Sequence, residues 1–168
     1  LPDVLVTRSD GRIEAIGIDS NSRVQRREQP FPLPAVNVVY DKLNPPGFDP
    51  AYGPAGSSVG TRPWFGPRRL YGLSRRGQVR VLLEGNAGAN GVELAIPGRV
   101  VQLAAESRVG VYALNSDGLV YWINADQAGQ DLHTIVPVTV PEKVCWIARQ
   151  EAVACGTGNV YRWEEALE

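Results

Sequence analysis

The sequence lacks methionine, has one histidine and two cysteines, and carries almost no excess of either charge. Its 17 Lys and Arg face 18 Asp and Glu, for a net charge of −1 at pH 7. Near-neutrality provides no field to gather nucleic acid or an anionic membrane, so neither is expected as a partner. No apolar run approaches the ~18 residues of a membrane-spanning helix. A lone histidine, His133, cannot complete a metal ligand set, and Cys145 and Cys155 match no common zinc spacing. The C-x-x-C of redox catalysis is missing. The cysteines are left as a disulfide between neighbouring strands or as two buried thiols. The disulfide is the reading adopted, because an exported chain tolerates it. A start at Leu1 without methionine fits a product trimmed past a signal peptide or cut from a larger protein, and equally an expression product.

Glycine and proline, by contrast, are plentiful at 18 and 13 residues, which favours many short strands over long helices. The chain repeats itself. Four segments read apolar strand, tight glycine turn, apolar strand: Val4 to Ile16 around Gly11, Leu70 to Leu82 around Gly77, Val111 to Trp122 around Gly118, and Val153 to Trp163 around Gly158. Glycine suits these turns because it reaches positive φ without steric penalty. Gly77, Gly118 and Gly158 are spaced 41 and 40 residues apart, near the period of a four-stranded propeller blade. Gly11 to Gly77 is longer, which marks an insertion.

A proline-led strand precedes the later hairpins. Ile96-Pro97-Gly98-Arg99-Val100-Val101-Gln102-Leu103-Ala104 aligns without a gap on Val140-Pro141-Glu142-Lys143-Val144-Cys145-Trp146-Ile147-Ala148, and Leu33-Pro34-Ala35-Val36-Asn37-Val38-Val39 is a shorter version. Proline at a strand entrance removes no ladder N–H. Units of this kind bury their faces by stacking blade on blade.

The run from Val100-Val101-Gln102-Leu103-Ala104-Ala105 through Val111-Tyr112-Ala113-Leu114-Asn115-Ser116-Asp117-Gly118-Leu119-Val120-Tyr121-Trp122 resembles the regulator-of-chromosome-condensation repeat, whose blade reads V-x-Q-I-A-A-G, then A-L, then D-G-x-V-Y-x-W-G. Val160-Tyr161-Arg162-Trp163 resembles the end of the same blade. The likeness is strongest over residues 94–163 and loose over 1–93. Glu106-Ser107-Arg108 replaces the family's glycine and histidine, and Ile123 follows Trp122 where the family has glycine. The resemblance implies a β-propeller built of such blades. The family's chromatin and nucleotide-exchange role does not carry over, because none of its functional residues is matched.

The expected fold is therefore all-β: a single domain over 1–168 of β-propeller-like blades of antiparallel strands, about four repeat units in a small or incomplete ring. Residues 40–67 form an insertion rich in proline and aromatics, without helix or strand periodicity. Long loops of this type are often binding loops. Its Tyr40, Phe48, Tyr52, Arg62, Trp64 and Phe65, with the adjoining Arg68 and Arg69, are the candidate partner-binding residues, since aromatics and arginine dominate interface hot spots. An alternative of equal weight tucks the aromatics back onto the blade.

Catalytic chemistry is hard to place. No base stands beside a serine or cysteine. Gly85 to Gly91 opens no phosphate-binding motif, and Asp10 and Asp117 recur at one turn position as turn formers. Trp122 and Trp163 are expected at equivalent repeat positions, in core packing. The sequence predicts no enzyme, no cofactor and no metal site. It predicts a protein-binding or structural module, exported by a bacterium to the periplasm or cell exterior, that engages a protein partner or a second copy through the insertion and loop rims. The alternative is a carbohydrate-binding, lectin-like propeller; an enzyme inhibitor or a hydrolase ranks below.

Overall fold

The computed structural model describes residues 4–29, 31, 34–42, 48–49, 53–54, 68–83, 91–105, 111–125, 133–148 and 150–163. Among them there is no helix. The first sheet holds β1 (Val4–Thr7), β2 (Ile13–Ile18) and β3 (Val24–Gln29) in that order. The second joins β4 (Asn37–Lys42) to β7 (Arg68–Leu73), β8 (Val79–Leu83) and β9 (Val92–Leu94). A two-stranded pair, β5 (Phe48–Asp49) and β6 (Gly53–Pro54), lies between β4 and β7 in the chain. The third sheet runs β10 (Val100–Ala105), β11 (Val111–Asn115), β12 (Val120–Ala125) and β13 (His133–Val138). The fourth has β14 (Val144–Ala148), β15 (Glu151–Ala154) and β16 (Val160–Arg162). The described pairings are all antiparallel, and none of the sheets closes on itself.

The repeat seen in sequence is a repeat in backbone geometry. Three hairpins close the same way, Arg8 N–H to the Arg12 carbonyl at 2.8 Å, Ser74 to Gln78 at 2.9 Å and Asn115 to Leu119 at 3.0 Å. Their glycines, Gly11, Gly77 and Gly118, have φ of 88°, 82° and 81°, where a side chain is strained. The fourth turn is one residue longer, closing from Ala154 N–H to Asn159 at 2.9 Å, with Gly158 at φ 72°. β1, β7, β11 and β15 are therefore equivalent strands.

Each of the first three turns is covered by the segment that enters the next sheet. The Gly11 carbonyl accepts Ala35 N–H at 2.9 Å, and that of Gly118 accepts Val144 N–H at 3.0 Å. A Cβ on Gly11 would stand 2.5 Å from Pro34 Cβ, one on Gly77 would overlap Arg99 Cγ, and one on Gly118 would stand 3.0 Å from Lys143 Cβ. A Cβ on Gly158 would meet nothing within 4 Å.

Between the second, third and fourth sheets the contacts are apolar, with an amide on each of the inner strands β4 and β10. Tyr71, Leu73, Val79 and Val81 of the second sheet pack on Val111, Ala113 and Ile123 of the third. The opposite face of the third, Tyr112, Leu114 and Val120, packs on Val144, Ile147 and Ala152 of the fourth. Asn37 Oδ1 accepts the N–H of Leu103 at 2.8 Å. One junction on, Gln102 accepts the N–H of Ile147 at 2.9 Å and donates to its carbonyl at 2.7 Å. The inner strands β4, β10 and β14 thus lie side by side, and β1 lies against β4.

Position in this series decides burial. All of β11 is buried, as are residues 69–73 of β7, because sheets cover both faces. β1 and β15 alternate between a more and a less exposed face, as strands covered on one side do.

Two sequence expectations are corrected. Strand is present within the bounds expected for the insertion, since Tyr40, Asp41 and Lys42 continue β4 opposite Leu70, Arg69 and Arg68, and Phe48–Asp49 pairs with Gly53–Pro54. A backbone ladder needs no apolar alternation, so the residue pattern gave no sign of it. Trp122 and Trp163 are also not equivalent. Trp122 stands opposite Tyr112, a place that Arg162 takes opposite Glu151, yet both indoles reach the same core and Trp163 meets Tyr112 edge-on at 5.2 Å.

Both Gly11→Ala and Gly158→Ala should lose the ~1–2 kcal/mol of a left-handed backbone position. Gly11→Ala should cost about 1–3 kcal/mol more, from overpacking against Pro34. Denaturant unfolding of the two variants measures the difference; equal losses would contradict the covered turn.

Candidate functional site

Of the predicted binding residues, Tyr52, Arg62, Trp64 and Phe65 lie outside the described residues. Tyr40 falls in β4, Phe48 in β5 and Arg68 in β7. Arg69 is only 6% exposed. As placed, Arg69 is part of the sheet packing and not of an exposed binding patch.

Among the described residues, exposed apolar side chains share one face on each end sheet of the series, while Val36, Val101, Leu119 and Val136 are exposed singly elsewhere. On the first sheet Val4 is 62% exposed, Ile18 49% and Val24 62%. Val4 stands opposite Ile16, and Ile18 opposite Val24, so they share the face turned away from the second sheet. On the fourth sheet Trp146, Val153 and Val160 form one cross-strand row. Trp146 is 51% exposed and Val160 64%. The Glu151–Arg162 ion pair flanks the row.

Trp146 has a telling position. Asn37, Gln102 and Trp146 stand opposite Leu73, Leu114 and Val153, each the residue just before its hairpin turn. The two amides hold the inner strand of the next sheet. Trp146 presents a large apolar ring there, and rings of this type anchor protein interfaces.

The fourth sheet has its own braces. Cys145 and Cys155 stand at disulfide distance, with Cα atoms 4.9 Å apart, within the span a disulfide bridges. Glu142, in the turn that enters β14, accepts hydrogen bonds from Thr157 Oγ1 at 3.0 Å, Asn159 Nδ2 at 3.2 Å and the Tyr161 hydroxyl. The Tyr161 bond, then those of Thr157 and Asn159, hold the Glu142 carboxyl below the usual glutamate range. The same bond holds the Tyr161 hydroxyl above the usual tyrosine range. Sequence reading missed this cluster. Its one sign is Glu142 standing where the preceding repeat has Gly98, and its partners lie 15 to 19 residues away.

The turn acids divide. Asp10 accepts Arg12 N–H at 3.1 Å, as a turn former does. In the third sheet that work falls to Asn115, whose Oδ1 accepts the N–H groups of Asp117 and Leu119, both at 3.0 Å. His133 opens β13 opposite Ala125. Among the described residues no three His, Cys, Asp or Glu side chains gather as a metal site would require. The clefts along the first sheet, one beside Asp10, Arg12 and Phe31 and one beside Asp19 and Arg27, measure about 200 and 160 Å³, below the ~300–1,000 Å³ of ligand pockets. Among the described residues no helix is long and apolar enough to cross a membrane. The chain matches no protein-family model and no curated protein.

Reduction of the cysteine pair should remove roughly 2–3 kcal/mol of stability, from the short loop it closes. Unfolding midpoints with and without reductant, beside a Cys145→Ser/Cys155→Ser variant, measure this; an unchanged midpoint would mean the thiols are free.

Glu142 has a depressed folded pKa, so its contribution is present above the unfolded carboxylate range and is lost as pH falls through the folded value. Tyr161 has a raised one, so its contribution is present below the unfolded tyrosine range and is lost as pH rises through the folded value. Protection of the Asn159 and Tyr161 amides, taken relative to the intrinsic exchange rate at each pH, should therefore fall at both extremes, and Glu142→Gln should flatten the acid limb.

Proposed function

We propose that the chain is a non-catalytic, protein-binding module of propeller-like build, with about four blades in series. Its end faces, its loop rims and the insertion within residues 40–67 are offered to a protein partner or to a second copy. One observation carries this reading. The strands β7 and β11 are buried on both faces, whereas the first and fourth sheets each expose apolar side chains among charged ones, Val4, Ile18 and Val24 on the first and Trp146 and Val160 on the fourth. Contiguous exposed apolar surface of this kind marks interaction sites.

The propeller-like arrangement is supported by the side-by-side inner strands and by turns that lock each sheet to the next. Cysteines at disulfide distance fit an oxidising, extracellular or periplasmic setting. The fold needs no charge field or cofactor to bind in this way. Shape and apolar area suffice.

Light scattering across a concentration series tests the reading. The expected mass rises above the 18.2 kDa of one chain. A Trp146→Asp/Val160→Asp variant, folded by circular dichroism, should return to the single-chain mass. If the mass stays at one chain and Trp146 fluorescence is unaffected by any added protein, the end faces are not binding surfaces.

A further inference from the structure

We propose that Cys145 and Cys155 form a thiol-exchange site: a disulfide that a dithiol attacks in the folded protein and reduces without loss of the fold. Such a site goes beyond the module reading above and holds whether or not the end faces bind.

The two cysteines stand at irregular points of the fourth sheet. Cys145 is the residue that bulges from β14, between Val144 opposite Ala154 and Trp146 opposite Val153. A bulge residue is left out of the ladder. Cys155 follows the end of β15 as the first residue of the turn. The link therefore spans no ladder pair. Both cysteines are exposed, although Val144 and Ala154 beside them are buried.

The third sheet has the same corner without the link. β10 bulges between Val100 and Gln102, which makes Val101 the counterpart of Cys145. Ser116 follows β11 as Cys155 follows β15. Ser116 N–H donates to the Arg99 carbonyl at 2.8 Å, and Cys155 N–H donates to that of Lys143 at 2.9 Å. One backbone hydrogen bond thus closes the corner in both sheets, and in the third it does so beside valine and serine. The cysteine link is added to a corner that holds without it, so the dithiol form keeps the bulge and the ladder.

Exposure belongs to the corner and not to an end sheet. The third sheet is packed on both faces, yet Val101 is 48% exposed and Ser116 is exposed as well. Val36, the counterpart on β4, is 46% exposed. A further sheet laid on the outward face of the fourth would leave both cysteines within reach of solvent.

The exchange needs only a dithiol in solution. One of its thiolates attacks a cysteine sulfur, a mixed disulfide forms, and the Cys145–Cys155 bond breaks. The released cysteine thiolate takes a proton from water. The second thiolate of the dithiol then displaces the other cysteine, which is protonated in turn. Two electrons pass to the cysteines, and the dithiol leaves as its own disulfide.

Dithiothreitol added to the intact chain in buffer tests this, with iodoacetamide trapping the thiols and mass spectrometry counting them. No trapping is expected before the dithiol is added, and two trapped thiols after it. Reduction should proceed within about a hundredfold of the rate for the chain unfolded in urea, because access and not unfolding limits it. Low urea should leave that rate unchanged. The reduced chain should keep Ile147 and Ala152 protected from amide exchange, and should regain the bond in oxidised glutathione. A Cys145→Val/Cys155→Ser chain, carrying the third sheet's residues, should fold with the same protected amides. A rate about a thousandfold or more below that of the unfolded chain, rising with each addition of urea, means that reduction waits for unfolding and overturns the proposal. Trapping before reduction, loss of protection at Ile147 and Ala152 on reduction, or an unfolded double variant overturns it as well. Assembly through the end faces is read separately, by light scattering, and stands or falls without regard to these outcomes.

Discussion

The second and third sheets of this chain present buried apolar side chains at the junctions between sheets, and such faces are stable only when a neighbouring sheet covers them. The structure depends on this constraint. It places the second and third sheets inside a series, with Tyr71, Leu73, Val111 and Ala113 in one junction and Tyr112, Leu114 and Val144 in the next. It also makes the outer faces of the first and fourth sheets the exposed ones. Hydrophobic burial alone would let neighbouring sheets slide, because it has no direction. The directional part comes from Asn37 and Gln102, which fix each inner strand to the one after it, and from the turn glycines, whose missing side chains let the next entry segment close in.

Much of this was legible in sequence because it is local. A glycine turn between apolar runs, and a proline before a strand, each follow from the φ preferences of a few adjacent residues. The spacing of Gly77, Gly118 and Gly158 then exposes the repeat. Face assignment was less accessible. The continuous burial of β11 and the alternation of β15 differ through what lies beside them and not through their own residues. The Trp122–Trp163 equivalence failed for a related reason. The fourth turn is one residue longer, and counting along the chain cannot say which side of the turn absorbs it. Arg69 read as half of a basic surface pair, yet its strand runs between two sheets and buries it. The aromatic insertion supplied the expected binding residues, of which Tyr52, Arg62, Trp64 and Phe65 lie outside the described residues. The apolar row on the fourth sheet was overlooked because Trp146, Val153 and Val160 become neighbours only through strand register.

The fourth sheet departs from the repeat at several linked points. It has Trp146 in place of an amide, Glu142 in place of Gly98, a longer turn, and paired cysteines joining the start of β14 to the turn after β15. In the other sheets the following entry segment steadies the turn. Here the Glu142 hydrogen bonds and the cysteine pair supply that support from within the sheet. Among the described residues no segment covers the outward face, and these braces hold its apolar row in a fixed shape.

The grip of Gln102 on Ile147 is made wholly through the peptide group of its partner, with both the N–H and the carbonyl engaged. Recognition of a main chain places no demand on which side chain stands there, beyond fitting the core. Sheets joined in this way can be duplicated, and each copy can then diverge in sequence without losing its place in the row. An architecture of interchangeable units follows from one amide, and it is reached with inner strands as different as Asn37–Lys42, Val100–Ala105 and Val144–Ala148.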